Sequence, residues 1–289
     1  MAASLIDGNR LAQSIQTDLA ERIKGLKREK IVPRLAVLIV GDNPASQVYV
    51  RKKLRSCAQI GIEPRLIKFP ESVSQKDLLE AVDSEGSDLG THGIIVQLPL
   101  PVGLDKYRIL DFIPPHKDVD CFTTANLGRL AQNRPAFLPC TPAGVVHILK
   151  SIPCNPKGKH VVIINRSLVV GQPLATMLCQ DSEWANATVS LCNEHTRNLK
   201  DLTRSADILV SAVGRRPAFV LTADMVKPGS AVIDVAINRT DVGIIGDADF
   251  EAVREVAGYL TPVPGGCGPL TVAMLLQNTV QAACEALEA

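Results

Sequence analysis

Six apolar residues in an unbroken row, Leu35-Ala-Val-Leu-Ile-Val40, leave a strand with no face for solvent. A strand covered on both sides belongs to a parallel sheet, because the helices that return the chain from strand to strand cover both faces. Similar runs occur at Gly93-Ile-Ile-Val-Gln-Leu98, His160-Val-Val-Ile-Ile164, Ala206–Ser211 and Ser230–Val235, with further strands near 64–69 and 187–192. Helical patterns separate them. Residues 9–28 carry Leu11, Ile15, Leu19, Ile23 and Leu26 on one stripe. Residues 45–60, 74–83, 104–113, 142–151, 171–179 and 273–287 also read as helices, with Ser74 placed as an N-cap. Strands alternating with helices predict an α/β fold with parallel sheets and right-handed crossovers.

A chain of 289 residues suggests two such domains, at roughly 150 residues each. The pattern puts the first at 1–138 and the second at 139–268, with a closing helix at 269–289 that could pack on either. Apolar residues make up 46% of the chain, enough for full-sized cores. The net charge is +1 and aromatics are 3%, which argues against nucleic acid as a partner. No apolar run is long enough to span a bilayer, and no basic segment followed by an apolar stretch opens the chain. The eight cysteines are scattered with no CxxC pair. That spacing predicts no metal site, and reduced thiols in a cytoplasmic protein.

Chemistry concentrates in a few places. On the helix after the first buried strand, Tyr49 and Lys53 are four apart and share a face, with Ser46 on the same side. Open α/β sheets bind their ligands at such strand ends, although Tyr and Lys at this spacing also occur on ordinary amphipathic helices. Gln97 ends another buried strand, followed by Leu98 and Pro99. Asp118 and Asp120 lie in a loop, where solvation is the simple expectation. In the second domain, Asn165-Arg166-Ser167 and Gly171-Gln-Pro173 lie between a strand and a helix. There a dinucleotide-binding domain keeps its phosphate loop and the helix start offers free N–H groups. Only one glycine of a GxGxxG is present, so an ordinary βα turn is equally open. Small residues at two further strand ends, Ala212-Val213-Gly214 and Ala236-Ile237, would let a nucleotide approach the backbone. The loop Pro262-Val-Pro264-Gly265-Gly266-Cys267-Gly268-Pro269 could cover a ligand or merely turn the chain.

Taken in order, these pieces resemble the bifunctional methylenetetrahydrofolate dehydrogenase/methenyltetrahydrofolate cyclohydrolase family over nearly the whole chain. The matching segments are Ile6-Asp7-Gly8, Val40-Gly-Asp-Asn-Pro-Ala-Ser46, Tyr49-x-x-x-Lys53, Val96-Gln-Leu-Pro-Leu-Pro101 and Lys117-Asp-Val-Asp120. Then follow Pro139-Cys-Thr-Pro-x-Gly144, Arg166-Ser167-x-x-Val170-Gly171-x-Pro173 and Thr261-Pro-Val-Pro-Gly-Gly-Cys-Gly-Pro269. The resemblance implies two α/β domains, the second Rossmann-like, with an active-site cleft between them. It also implies a C-terminal helix returning to the first domain, a folate substrate, NADP as cofactor and a homodimer. Two reactions are implied: oxidation of 5,10-methylenetetrahydrofolate, then hydrolysis of the methenyl cation to 10-formyltetrahydrofolate, a one-carbon donor for purine biosynthesis. Lys53 would move protons in the hydrolysis, which a partly desolvated amine can do if its pKa falls. Gln97 would hold Lys53, Tyr49 would lie against the folate ring, and Asp120 would accept from the pterin edge. Ser46, Leu98, Pro264, Gly265 and Gly266 would line the substrate. Asn165, Arg166, Ser167, Gly171, Pro173, Glu194, Ala212, Val213, Gly214 and Ile237 would line the cofactor.

The chain departs from the family pattern at several positions. Asn165, Ala236 and Cys121 stand where Gly is usual, and Cys267 where Val is usual. Glu194, in Cys192-Asn-Glu-His-Thr196, stands where relatives often carry Ser near the 2′-phosphate of NADP. An acid repels a phosphate but accepts from a free ribose 2′-OH, so NAD stays open beside NADP. Glu194 could instead face solvent or pair with Arg166 or Arg197. Altered Rossmann positions also keep open a member with cyclohydrolase activity alone. Rival readings are another two-domain NAD(P)-dependent dehydrogenase, which leaves Tyr49, Lys53, Gln97 and Asp120 unexplained, and a nonenzymatic binding protein, which leaves Lys53 unexplained.

Overall fold

The structure, a computed structural model, describes residues 2–241 and 243–288. The first half runs β1 (Ser4–Leu5), α1 (Gly8–Arg28), β2 (Arg34–Val40), α2 (Pro44–Ile60), β3 (Glu63–Phe69), α3 (Gln75–Ser87), β4 (Gly93–Val96), α4 (Lys106–Asp111) and α5 (Thr124–Ala131). The second runs α6 (Cys140–Lys150), β5 (His160–Ile164), α7 (Gly171–Cys179), β6 (Thr188–Cys192), α8 (Leu199–Ser205), β7 (Ile208–Ser211), β8 (Ala231–Asp234), β9 (Asn238–Thr240), β10 (Gly243–Ile245), α9 (Phe250–Arg254), β11 (Tyr259–Leu260) and α10 (Cys267–Glu288).

The chain forms two compact units. One takes Gln13–Cys140 and the chain from Val272 onward. Its sheet has the order β3-β2-β4, all parallel. Leu35, Ala36, Val37 and Leu38 of the central strand are fully buried, as their unbroken apolar run requires. Each such side chain of Val or Leu size contributes about 1.5–3 kcal/mol by leaving water. Along α1, Ile15, Leu19, Ile23 and Leu26 are buried, which is the stripe read from the sequence. α2 starts where Asn43 accepts from the N–H groups of Ala45 and Ser46 with Pro44 in the first turn, and it stops at Gly61, whose φ is +95°.

The other unit takes the residues up to Ala12 with Thr141–Thr271. By contacts the division falls between Cys140 and Thr141, beside the boundary expected at 138, and the first residues of the chain join this unit. Ser4 and Leu5 add a parallel edge strand to Tyr259 and Leu260, a pairing too short to show in a hydrophobic pattern. The six-stranded sheet has the order β1-β11-β8-β7-β5-β6 and is parallel throughout. Among the described residues, a separate two-stranded antiparallel sheet, β9 with β10, is the pairing that the all-parallel expectation omits. From β5 the chain runs outward to β6 and then returns to β7 on the other side. That reversal of direction creates the strand-end crevice in which doubly wound sheets bind ligands.

Candidate active site

In the first unit, the buried face of α2 is Ser46, Val50, Lys53, Cys57 and Ile60. Lys53 therefore occupies a position where periodicity would put an apolar side chain, and it is only 6% exposed. A buried ammonium is costly unless its donors are used. Lys53 Nζ donates to Gln97 Oε1 at 3.3 Å and lies 5.6 Å from the centre of the Tyr49 ring, within cation–π range. Gln97 Nε2 donates to the Leu98 carbonyl at 2.6 Å, which turns the amide oxygen toward the amine. The Gln97 backbone N–H continues the β4 ladder onto Leu38. Ser46 is two turns earlier on the same face, its N–H held by the Asn43 cap. Burial pushes the Cys57 thiol up to about 12 even with the Lys53 charge nearby.

The two loop acids separate in role. Asp118 is 1% exposed. It accepts from Phe122 N at 3.0 Å, Thr123 N at 2.9 Å, Thr123 Oγ1 at 2.7 Å and Asn126 Nδ2 at 2.9 Å. Burial raises its pKa, and those hydrogen bonds oppose the rise. The expectation of simple solvation therefore fails for Asp118, which folds the loop back on itself. Asp120 is half-buried. Burial first, and then the negative charge of Asp120, hold the Cys140 thiol well above its ordinary range, with the Lys53 charge opposing them. Lys53, Gln97, Leu98, Tyr49 and Asp120 thus share one neighbourhood, and Cys140 joins them unforeseen. Cys121 has φ +60°, the left-handed region that explains why glycine is common there. Its thiol donates to the Phe137 carbonyl at 3.3 Å.

Pro264, Gly265 and Gly266 belong to the other unit. Gly265 has φ +107°, and a Cβ at Gly266 would collide with the Pro262 carbonyl oxygen. Close turning is thus one demonstrated use of these glycines.

In that second unit the strand ends are tied by side chains. Asn165 follows β5. Its Nδ2 donates to the Ala212 carbonyl beyond β7 at 2.7 Å. Its Oδ1 accepts from Ser167 N at 2.8 Å, Ser167 Oγ at 2.7 Å and Gly171 N at 3.1 Å. The idea of free N–H groups at the start of α7 is corrected here. The N–H of Gly171 goes to Asn165, that of Gln172 goes to the Ser167 carbonyl, and Pro173 has none. Gly171 is required by space, since a Cβ there would overlap the Asn165 carbonyl oxygen. Asp247 does the same service for β7. It accepts from Ser211 Oγ at 2.6 Å, Val213 N at 2.8 Å and Gly214 N at 3.0 Å. Asp247 was not foreseen; a single acid in the apolar run Ile244-Ile-Gly-Asp-Ala248 was the available signal. Gly214 has φ +64°, and Ile237, between β8 and β9, is 45% exposed.

Arg166 and Glu194 are both about half exposed, and Arg166 Nη2 meets Glu194 Oε1 at 2.6 Å. Of the three fates open to Glu194, pairing with Arg166 is the one observed. A backbone N–H and the Arg166 guanidinium hold the Glu194 carboxyl below the usual range. Among the described residues no group of three or more His, Cys, Asp or Glu is arranged to hold a metal, and no helix is long and apolar enough to cross a membrane.

Two family models match the chain. The tetrahydrofolate dehydrogenase/cyclohydrolase catalytic domain matches residues 6–120, and the NAD(P)-binding domain of the same family matches residues 139–287. The "Bifunctional protein FolD" of a Polaromonas species is 50% identical over 284 residues, covering 98% of this chain and 99% of the relative. A crystal structure of the bifunctional enzyme FolD, methylenetetrahydrofolate dehydrogenase/cyclohydrolase, from Campylobacter jejuni is similar with TM-score 0.93. It is 45% identical and covers 98% of this chain and 99% of the other. The dehydrogenase-cyclohydrolase of Trypanosoma brucei, solved with NADP cofactor and inhibitor, has TM-score 0.93 and 35% identity and covers 100% of both chains.

Proposed function

Because the chain belongs to the tetrahydrofolate dehydrogenase/cyclohydrolase family, we propose that it oxidises 5,10-methylenetetrahydrofolate with NADP and hydrolyses the product to 10-formyltetrahydrofolate. The observation that carries this reading is Lys53, buried on the core face of α2 and held by Gln97 beside Tyr49 and Asp120. A cation there has no packing rationale and an evident chemical one.

The residues present fit a dinucleotide. Gly171 keeps the loop after β5 low, and Asn165 and Asp247 fix the ends of β5 and β7. Arg166 is the cation available to a 2′-phosphate, and Ala212, Val213, Gly214 and Ile237 form the adjoining rim. When bound, NADP accepts the hydride of the methylene carbon. The protein's contribution to that step is positioning: Asp120 accepts hydrogen bonds from the pterin, and Tyr49 lies against its ring.

Hydrolysis asks more of the side chains. Water adds to the methenyl carbon, the bond from that carbon to N5 breaks, and the formyl group stays on N10. Of the two water protons, one ends on N5 and one leaves to solvent. Lys53 Nζ relays this proton traffic, and Gln97 Oε1 keeps the amine in place. The enzyme works as a cytoplasmic homodimer that supplies a one-carbon unit to purine biosynthesis, with no nucleic-acid partner. The family membership and the net charge of +1 support these points.

A second reading, preference for NAD, is favoured by the Arg166–Glu194 pair alone. One spectrophotometric assay tests both. Methenyl absorbance should rise with NADP and then decay, and the rates with NAD rank the cofactors. No rise with either cofactor, or a rise that decays no faster than in buffer, overturns the proposal.

A further inference from the structure

Asp120 is held from both sides along the chain, and by a residue far away in sequence. Asn278, on α10, is 5% exposed. Its Nδ2 donates to the Val119 carbonyl at 2.8 Å and to the Leu138 carbonyl at 2.9 Å, and lies 3.8 Å from Cys140 Sγ. One amide thus ties together the carbonyl just before Asp120 and the segment that ends in Cys140. Cys140 Sγ also donates to the Val119 carbonyl at 3.4 Å. On the other side, Cys121 takes the left-handed conformation and ties its thiol to Phe137. The carboxyl that would read the pterin therefore leaves a loop whose two neighbouring residues are both pinned to 137–140.

The geometry points to Asn278 as a positioning residue for Asp120: through the Val119 carbonyl and Cys140 it fixes the direction of that carboxyl toward the folate. The inference rests on the folate reading of this site. Its physical basis is that a hydrogen-bonding group aimed by a fixed shell loses little entropy on binding, whereas a loose one must be ordered by the ligand. A merely structural Asn278 would satisfy two buried carbonyls and affect folding alone.

The two roles separate in a double-mutant cycle on the full chain. Tetrahydrofolate Kd is measured by titration calorimetry for the parent, Asn278→Leu, Asp120→Ala and the double variant. Leu keeps the branched outline of the side chain, at a larger volume, and removes the donor. The expected result is a Kd about tenfold weaker for Asn278→Leu in the parent background and less than twofold weaker in the Asp120→Ala background, with NADP Kd unchanged. An equal loss in both backgrounds, or a lowered Tm with unchanged tetrahydrofolate Kd, overturns the positioning role. If Asn278→Leu does not fold, Asn278→Ser is carried through the same cycle with the same criteria. Absence of tetrahydrofolate binding by the parent, or an Asp120→Ala variant that binds as tightly as the parent, instead overturns the folate reading of the site and the inference with it.

Discussion

Lys53 and Arg166 each follow a buried parallel strand, and each carries a positive charge assigned to the chemistry, yet they are held in opposite ways. Lys53 is 6% exposed and bonded to a glutamine whose own amide is already committed to Leu98. The Arg166 side chain is 56% exposed and paired with an acid that is 50% exposed. A group that must move a proton needs a fixed partner and little competing water. A group that only recognises an anion can sit in solvent, where an ion pair is weak and easily exchanged. Departures from the family pattern occur around both, at Asn165 and Glu194 beside Arg166 and at Cys121 beside Asp120, while Tyr49, Lys53, Gln97 and Asp120 themselves are kept.

The largest expected effect tests the buried side of that contrast. Lys53→Met should lower the decay rate of the methenyl compound by about 10²–10⁴-fold, the usual worth of a positioned acid or base, with tetrahydrofolate affinity within a few-fold of the parent. Normal formation of 10-formyltetrahydrofolate by that variant would break the assignment.

Gly171→Ala probes whether the cofactor loop is rigid despite its exposed charges. The added methyl group has no room beside the Asn165 carbonyl, so the variant should be about 1–3 kcal/mol less stable in urea titrations and weaker for NADP. Unchanged stability and NADP affinity would show a loop that yields.

Asp234 gives the pH dependence of the same unit. Burial raises its pKa to about 6, with hydrogen bonds from Ala248 and Asp247 opposing and the Asp247 charge adding to the rise. The folded state therefore prefers the protonated acid. Its contribution is full below the unfolded value near 4 and is lost as pH rises through about 6. Between pH 5 and 8 it should cost about 1 kcal/mol of stability, and Asp234→Asn should flatten the profile by that amount. Parallel profiles for the two proteins would contradict this.

The smallest expected effect is at the surface pair. Glu194→Ser frees Arg166, the cation proposed for a 2′-phosphate, and exposed pairs are weak. The ratio of kcat/KM for NADP over NAD should rise a few-fold. An unchanged ratio would remove Glu194 from cofactor choice.

Much of this was legible because it is local. The buried run 35–40, the stripe along α1 and the cap at Ser74 depend on near neighbours, and the structure reproduces them. The residues the resemblance assigned to folate at Tyr49, Lys53, Gln97 and Asp120 do share a neighbourhood. Lys53 could have been singled out by pattern alone, as a lysine on the apolar stripe of α2. By contrast, nothing in the spacing separated Asp118 from Asp120 or marked Asp247, and Asn278 is 158 residues from Asp120 by number.

The sequence by itself determined the alternation of buried strands and amphipathic helices, hence a parallel α/β protein, and through its ordered motifs the family. The tertiary structure alone decided that residues 4–5 pair with 259–260, that Asn165 takes the N–H of Gly171, that Glu194 meets Arg166, and that Asn278 reaches the carbonyl before Asp120. The physical reason is the range of the forces involved. Periodicity and capping act within a few residues, so they are written in the local sequence. Which buried carbonyl or N–H a distant side chain satisfies depends on which groups the sheets and helices leave unpaired once they have packed.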